Sequence, residues 1–329
     1  MEQRKLGANG PDVSVLGYGA MSFTDFYGKA SDDGSKRVLD ACVDFGITHV
    51  DTSNVYGMGR SETVIGEWLK ARGGEAPFRI ASKVGIQRDP DRRFNNDPDH
   101  LREQLEASLK RLNVDCIDLY YIHRRDKAHE IEAVTETMAG FVKEGKIRSI
   151  GYSEIAPTSL RRAAAVHPIA AVQSEYSLQT RSPELGLVQT CKELGTALVA
   201  FSPVGRALLT DAPHSVAQAQ TIDFMKNNPR FMQPNHGRNL KKNDDFRQLA
   251  ADFGYPAAAV AIAWLRAQGD HVLPIPGTRS IDHLAECVTG AEINLSAEDL
   301  ARIDEVLPIG WCHGDRYNAG QWEGPEKWC

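Results

Sequence analysis

The chain has 329 residues, 42% hydrophobic and 25% charged, with a formal charge of −6 and a pI near 5.9. That supplies a large core, and the acidic balance argues against a general nucleic-acid or anionic-membrane binder, so small-molecule chemistry is the better expectation. The first residues carry no apolar run like a signal peptide and no stretch reaches the length of a membrane span; six cysteines without C-x-x-C spacing read as reduced thiols of a cytoplasmic protein without a zinc site, Cys312 and Cys329 being the one candidate pair.

In chain order, RKLGANGPDVSVLG at residues 4–17 comes first, and its turn-forming A-N-G-P between short runs predicts a hairpin. Eight short runs then read as strands: 13–19, 47–51, 78–84, 116–123, 146–153, 170–176, 196–202 and 271–277. Amphipathic helical patterns lie between them. In PDHLREQLEASLKRLNV, Leu101, Leu105, Leu109 and Leu112 recur at spacings of four, four and three. Eight alternations with no Gly/Ser-rich linker favour an α/β fold, a single (β/α)8 TIM barrel over residues 1–329, above a doubly wound sheet. The N-terminal β-hairpin then crosses the barrel floor, and an extra C-terminal helix and tail follow the last unit. Residues 205–245 far exceed an ordinary connection, and their mixed composition predicts a lid rather than a rigid core element.

The stretch HVDTSNVYGMGRSETVIG, residues 49–66, offers a competing reading. Its G-M-G-R-S-E, after a strand and before a helix, has the setting of a dinucleotide-binding glycine turn. Glu62, however, stands where close helix–strand packing needs glycine, and a carboxylate there would repel a pyrophosphate. The glycines read better as a plain turn, and interest moves to Asp51 and Tyr56.

In a barrel, chemistry belongs at the C-terminal ends of the strands. Asp51 closes the second predicted strand, Lys83 comes near the end of the third, His123 closes the fourth, and Tyr56 follows Asp51 in its loop. Each has a bland reading: a turn cap, a surface cation, a satisfied rim histidine, a ring packed under a loop. Their convergence on one rim is what carries weight. A tyrosine hydroxyl, with a pKa of about 10, is a poor proton donor at neutral pH. A neighbouring ammonium lowers that pKa, and a carboxylate keeps the ammonium charged. Asp51, Lys83 and Tyr56 thus make a tuned proton donor, and His123 can orient a carbonyl oxygen. The set needs no metal and lacks only a hydride source, which a nicotinamide cofactor completes.

The segments LGYGAM, GITHVDTSNVYGMGRSE, IASKVG, DLYYIHR, KIRSIGYSE, VQSEYSL, VAFSPVG, PIPGTRS and HLAEC, in this order and spacing, resemble the aldo-keto reductases over nearly the whole chain. In look the chain is similar to the bacterial and plant subgroup of pyridoxal reductase-like and auxin-induced-like proteins. The resemblance implies an NADP(H)-dependent oxidoreductase that reduces aldehydes or ketones, with Asp51, Tyr56, Lys83 and His123 catalytic and Tyr56 the general acid. It also implies an NADPH (NADP+) site. Ser153 and Gln173 would meet the carboxamide and Phe201 the nicotinamide ring, with Gly19, Ala20, Met21 and Asp51 at the same end. Ser202, Val204, Gly205 and Arg206 would border the pyrophosphate; Gly277, Thr278 and Arg279 would meet the 2′-phosphate, with His283 and Glu286 near the adenosine. Two positions depart from the pattern: Glu154 and Cys287 stand where asparagine is usual.

Other classes keep a place. Similar barrels serve as cofactor-binding regulatory subunits with little turnover, and a metal-dependent barrel hydrolase could use Asp51 and His123, although further ligands are missing. The expected partner is a small carbonyl substrate, with neither nucleic acid nor membrane, and oligomeric state is open. Substrate identity should sit in residues 23–28, 88–96 and 205–245 and in the tail from Trp311, a residue that either enters the pocket or anchors the tail.

Overall fold

The computed structural model describes residues 1–87, 89 and 93–327. Strands β1 (Gln3–Lys5) and β2 (Asp12–Ser14) pair antiparallel. The barrel strands follow: β3 (Tyr18–Gly19), β4 (His49–Asp51), β5 (Arg79–Val84), β6 (Leu119–Ile122), β7 (Ile150–Ser153), β8 (Ile169–Glu175), β9 (Ala197–Phe201) and β10 (Val272–Pro274). These eight form one parallel sheet in sequence order, as successive βα units require. The Gly17 N–H donates to the Pro274 carbonyl at 3.0 Å and the Gly19 N–H to the Pro276 carbonyl at 2.9 Å, which joins the first strand to the last and closes the ring.

Every residue of β6 and β8 is buried, because one face of each strand meets the barrel interior and the other meets helices. Inside, Ala81, Leu119, Tyr121, Val199 and Leu273 pack together. Outside, the helix Pro98–Leu112 buries its leucine stripe, starts with proline in its first turn and ends at Asn113 in the left-handed region at φ 56°. The serine Ser31 caps the helix Asp32–Asp44 by accepting from the Gly34 N–H at 3.1 Å.

Two expectations need correction. The run predicted at 13–19 is two strands: its first residues pair with β1, and only Tyr18 and Gly19 enter the barrel, beside Val50 and Asp51. The hairpin lies across the floor as expected, with the Ala8 N–H on the Gly195 carbonyl at 2.6 Å, the Ser14 N–H on Thr48 Oγ1 at 2.7 Å, and Leu6 and Val13 packed into the interior cluster. Residues 205–245, expected as a lid rather than a rigid core element, are a folded insert with a core of their own. They hold the helices Val216–Thr221 and Asp223–Lys226 and the start of Asn235–Asp252. Ala219, Ile222, Met225 and Phe231 form a small core there, and the side-chain amides of Asn228 and Asn239 donate to the carbonyls of Arg316 at 2.7 Å and His313 at 2.9 Å. These polar side chains satisfy carbonyls of the tail.

The extra C-terminal helix is Ala297–Val306, and Trp311 is the anchor of the tail beyond it: its indole N–H donates to the Leu178 carbonyl at 2.7 Å. Cys329 lies outside the described residues, as do Arg88, Pro90, Asp91 and Arg92 of the expected substrate loop. Among the described residues, no helix is long and apolar enough to cross a membrane, and no cluster of His, Cys, Asp and Glu is arranged to hold a metal.

Candidate active site

The carboxyl ends of β4, β5 and β6 bring the four expected side chains together. Lys83 is fully buried, and its Nζ donates to Asp51 Oδ1, to the Thr52 carbonyl at 2.8 Å and to the Tyr56 hydroxyl at 3.3 Å. Asp51 Oδ2 accepts from Gln173 Nε2 at 2.8 Å, so both carboxylate oxygens are engaged. His123 meets the edge of Tyr56, with ring centroids 5.8 Å apart, and its Nδ1 lies 3.1 Å from Ser53 Oγ. A serine proton given to Nδ1 leaves the ring hydrogen on Nε2. Behind Tyr56 the G-M-G residues turn the chain into the helix Arg60–Arg72, with Gly57, Met58 and Gly59 all at positive φ. Glu62 of that helix is buried and accepts from Arg111 Nε at 2.7 Å and Ser82 Oγ at 2.5 Å; it braces β5 and stands apart from the cavity wall.

Burial changes the electrostatics expected from the residue types. It pushes the Tyr56 hydroxyl above its ordinary pKa; Lys83 opposes this and Asp51 partly cancels Lys83, so the net direction is up rather than down. The reason is desolvation, which the sequence does not display. Tyr56 consequently keeps its proton at neutral pH, the state a general acid requires. Burial also pushes Lys83 down, but the Asp51 carboxylate and Tyr56 more than reverse it, and Lys83 ends above its ordinary value. Burial, with the charges of Arg124 and Lys83, holds His123 well below the usual imidazole range, so it is neutral at pH 7.

The barrel histidine His49 is likewise buried and lowered by burial. Both histidines take up a proton near pH 6.5 when unfolded but stay neutral when folded. Their contribution to stability is full above about pH 6.5 and declines as pH falls, at about 1.4 kcal/mol per pH unit for each proton. The urea midpoint is therefore expected to drop between pH 7.5 and 5.5, and an unchanged midpoint would contradict it.

A cavity of about 1540 Å³ opens above the four residues, larger than the roughly 300–1,000 Å³ of ordinary small-ligand sites. Gly19, Met21, Asp51, Tyr56, His123, Ser153, Gln173 and Phe201 line one end. Ser202, Val204, Arg206, Gly277, Thr278, Arg279, His283 and Glu286 line it further along. Lys83 sits beneath the wall. Ala20 and Gly205 stand behind it: the Ala20 carbonyl accepts from Ser61 Oγ at 2.9 Å, and Gly205 abuts Gln179 and Leu209. Arg206 lines the cavity, but its guanidinium is engaged with Glu175 at 2.9 Å and the Tyr27 hydroxyl at 2.5 Å. Arg279 donates to the carbonyls of Gly28 at 2.6 Å and Tyr27 at 3.0 Å, so the first loop arches over to the last.

Sequence reasoning missed Ser53 and Arg124, and the pair that explains one departure from the expected pattern. Glu154 is wholly buried, ion-paired with Arg316 of the tail, and accepts the Glu175 N–H at 3.0 Å. The tail so pinned brings Tyr317 and Gln321 into the cavity wall. Ser53 was visible as a hydroxyl two residues after Asp51; no sequence signal links Glu154 to Arg316.

A barrel with these groups at one rim is also what known proteins display. The family model described as Aldo/keto reductase family matches residues 15–308. Aldo-keto reductase yakc of Schizosaccharomyces pombe, named with NADP(+), is 36% identical over 96% of this chain and 94% of its own length. Probable aldo-keto reductase 1 of Glycine max is 39% identical over 96% of this chain and 92% of its own. Among solved structures, the glycerol dehydrogenase AKR11B4 from Gluconobacter oxydans superimposes with a TM-score of 0.82 at 25% identity, covering 93% of this chain and 94% of its own. The aldo-keto reductase AKR11C1 from Bacillus halodurans, in its holo form, gives 0.79 at 25% identity over 94% and 97%. Fold, rim and matched length agree, and the chain belongs to the aldo/keto reductase family of enzymes.

Proposed function

We propose that the protein reduces aldehyde or ketone carbonyls to alcohols with NADPH, and that Tyr56 is the general acid. The observation that carries this reading is the Tyr56 hydroxyl at the cavity wall, 3.3 Å from a Lys83 ammonium that Asp51 keeps charged.

The residues present fit a dinucleotide phosphate. At about 1540 Å³ the cavity has room for a cofactor and a substrate together. A Cβ at Gly277 would lie 2.4 Å from the Gly19 carbonyl, so glycine there lets the loops after the first and last barrel strands pack backbone to backbone at the cavity wall. The helix Ile281–Glu292 starts just beyond Arg279, and a helix N-terminus beside a guanidinium suits a phosphate dianion. Ser153 and Gln173 would hold the carboxamide, Phe201 the ring face, and Thr278 and Arg279 the 2′-phosphate. A bound reduced nicotinamide supplies hydride to the carbonyl carbon. The protein's own groups supply the rest. His123, neutral and with Nε2 carrying the hydrogen, donates to the carbonyl oxygen and fixes its position. Tyr56 gives its proton to the same oxygen, and the Lys83 ammonium stabilises the phenolate left behind. Asp51, held by Gln173, keeps Lys83 charged through the cycle.

Fluorescence titration with NADPH and turnover of a reactive aldehyde test the reading together. Binding without reduction of any carbonyl in a broad panel would leave a regulatory subunit and overturn it. Cofactor choice gives a second check. Arg279 has no acidic partner among the described residues. One charge-assisted hydrogen bond is worth about 1.5–3 kcal/mol, so Arg279→Ala should weaken NADPH about tenfold or more and leave NADH nearly unchanged. Equal losses for the two cofactors would remove Arg279 from the phosphate site.

A further inference from the structure

Five arginines line the cavity among the described residues: Arg60, Arg93, Arg124, Arg206 and Arg279. Three are neutralised, Arg60 by Asp25 and Asp32, Arg93 by Glu323, and Arg206 by Glu175. Arg279 is not, and it lies where a cofactor phosphate is proposed. The remaining one, Arg124, also has no acidic partner among the described residues, yet it stands at the opposite end, directly after His123.

Its surroundings hold it in place. Arg124 Nη1 donates to the His123 carbonyl at 2.6 Å and to Ser153 Oγ at 3.0 Å. The Arg124 carbonyl accepts from Asn96 Nδ2 at 3.2 Å, and the tail at Gly324 packs so closely that a Cβ there would lie 2.9 Å from Arg124 Cδ. Nearby carboxylates are engaged elsewhere: Glu154 with Arg316, Glu326 with Arg125, Glu323 with Arg93. What is left is the side-on fork, Nε and Nη2, without a protein partner among the described residues. That fork matches the two oxygens of a carboxylate. Arg124 lines the cavity together with Tyr56 and His123, the residue directly before it in the chain. Elsewhere the same cavity has apolar wall from Phe26, Ile86, Phe224 and Tyr317.

Resting on the reductase reading above, we propose that Arg124 is an anion subsite and that the substrate is an oxo acid, an aldehyde or ketone carrying a carboxylate on an apolar skeleton. The carboxylate docks on Nε and Nη2 of Arg124 while the carbonyl oxygen meets Tyr56 and His123. The negative charge on the substrate supplies the counter-ion that Arg124 lacks among the described residues.

The test uses the full chain with NADPH and three matched aldehydes: 4-carboxybenzaldehyde, its neutral amide 4-carbamoylbenzaldehyde, and 4-formylphenyl phosphate. The carboxylate should exceed the amide in kcat/KM by about tenfold or more, mainly through KM, as one charge-assisted contact predicts. In Arg124→Gln that ratio should fall to near one whatever the absolute rates, and Arg124→Lys should retain part of it. A wild-type ratio near one, or a ratio unchanged in Arg124→Gln, overturns the subsite and leaves Arg124 a brace for Ser153. A preference for the phosphate over the carboxylate overturns the oxo-acid assignment. Titration of the NADP+-loaded protein with benzoate and benzamide, read by intrinsic fluorescence, needs no turnover. Tenfold tighter benzoate, lost in Arg124→Gln, supports the subsite even if no aldehyde is reduced, in which case the reductase reading alone fails; equal affinities overturn the subsite alone.

Discussion

Replacing Tyr56 by phenylalanine is expected to lower kcat by about 10²- to 10⁴-fold, the usual worth of a positioned general acid, while NADPH affinity stays close to that of the unaltered protein. The ring stays, so the contact with His123 and the turn behind it are kept. Lys83 stays as well, because Asp51 and the Thr52 carbonyl at 2.8 Å still hold its ammonium. Residues proposed to hold the cofactor lie on later strands and loops, away from the deleted oxygen. Only the proton for the carbonyl oxygen is lost, and it is lost in the transition state rather than in the bound ground state. Single-turnover reduction and NADPH fluorescence on one preparation separate the two quantities. A near-normal single-turnover rate would show that another group is the acid.

The second large effect concerns the tail. Arg316→Leu is expected to destabilise the protein by about 3–5 kcal/mol, the range for removing one partner of a buried ion pair, and to raise the KM of carbonyl substrates. Glu154 is wholly buried, so the deletion removes the cation that balances its carboxylate. The guanidinium also lies 4.6 Å from the Tyr317 ring centroid and 4.8 Å from that of Trp322, and these stacking contacts go with it. Tyr317 and Gln321 form part of the cavity wall, which is why substrate binding should suffer along with stability. Urea unfolding measures the first and saturation kinetics the second. Adding Glu154→Gln should recover part of the loss, since the stranded charge is then gone. A loss below about 1 kcal/mol would mean that Glu154 finds water or another donor.

How much was legible follows from what each feature depends on. The strand order came from local runs such as LYYI and IGYS, whose burial on both faces leaves a continuous apolar signature. The candidate rim followed from strand ends alone, since Asp51, Lys83 and His123 each stand at or beside one. Features set by distant partners were not legible. The amides of Asn228 and Asn239 read as loop polarity, but they serve carbonyls 88 and 74 residues away. The Glu154–Arg316 pair spans 162 residues. The resemblance implied that Arg206 borders the pyrophosphate, and only the fold reveals Glu175 against it. The direction of the Tyr56 shift failed for a different reason: the identity of its neighbours was correct, but desolvation depends on depth, which no spacing encodes.

The hairpin at the bottom of the barrel governs traffic. Leu6 and Val13 stopper the interior from below, and the Ala8 and Ser14 amides bolt the stopper to the strand bottoms. The large cavity lies at the other end, on the strand ends, so the barrel is open to small molecules from one side. On the reductase reading, a nicotinamide held by Ser153, Gln173 and Phe201 would rest beneath a carbonyl compound placed over Tyr56. The order expected from that stacking is coenzyme before carbonyl and alcohol out before coenzyme, and product-inhibition kinetics checks it.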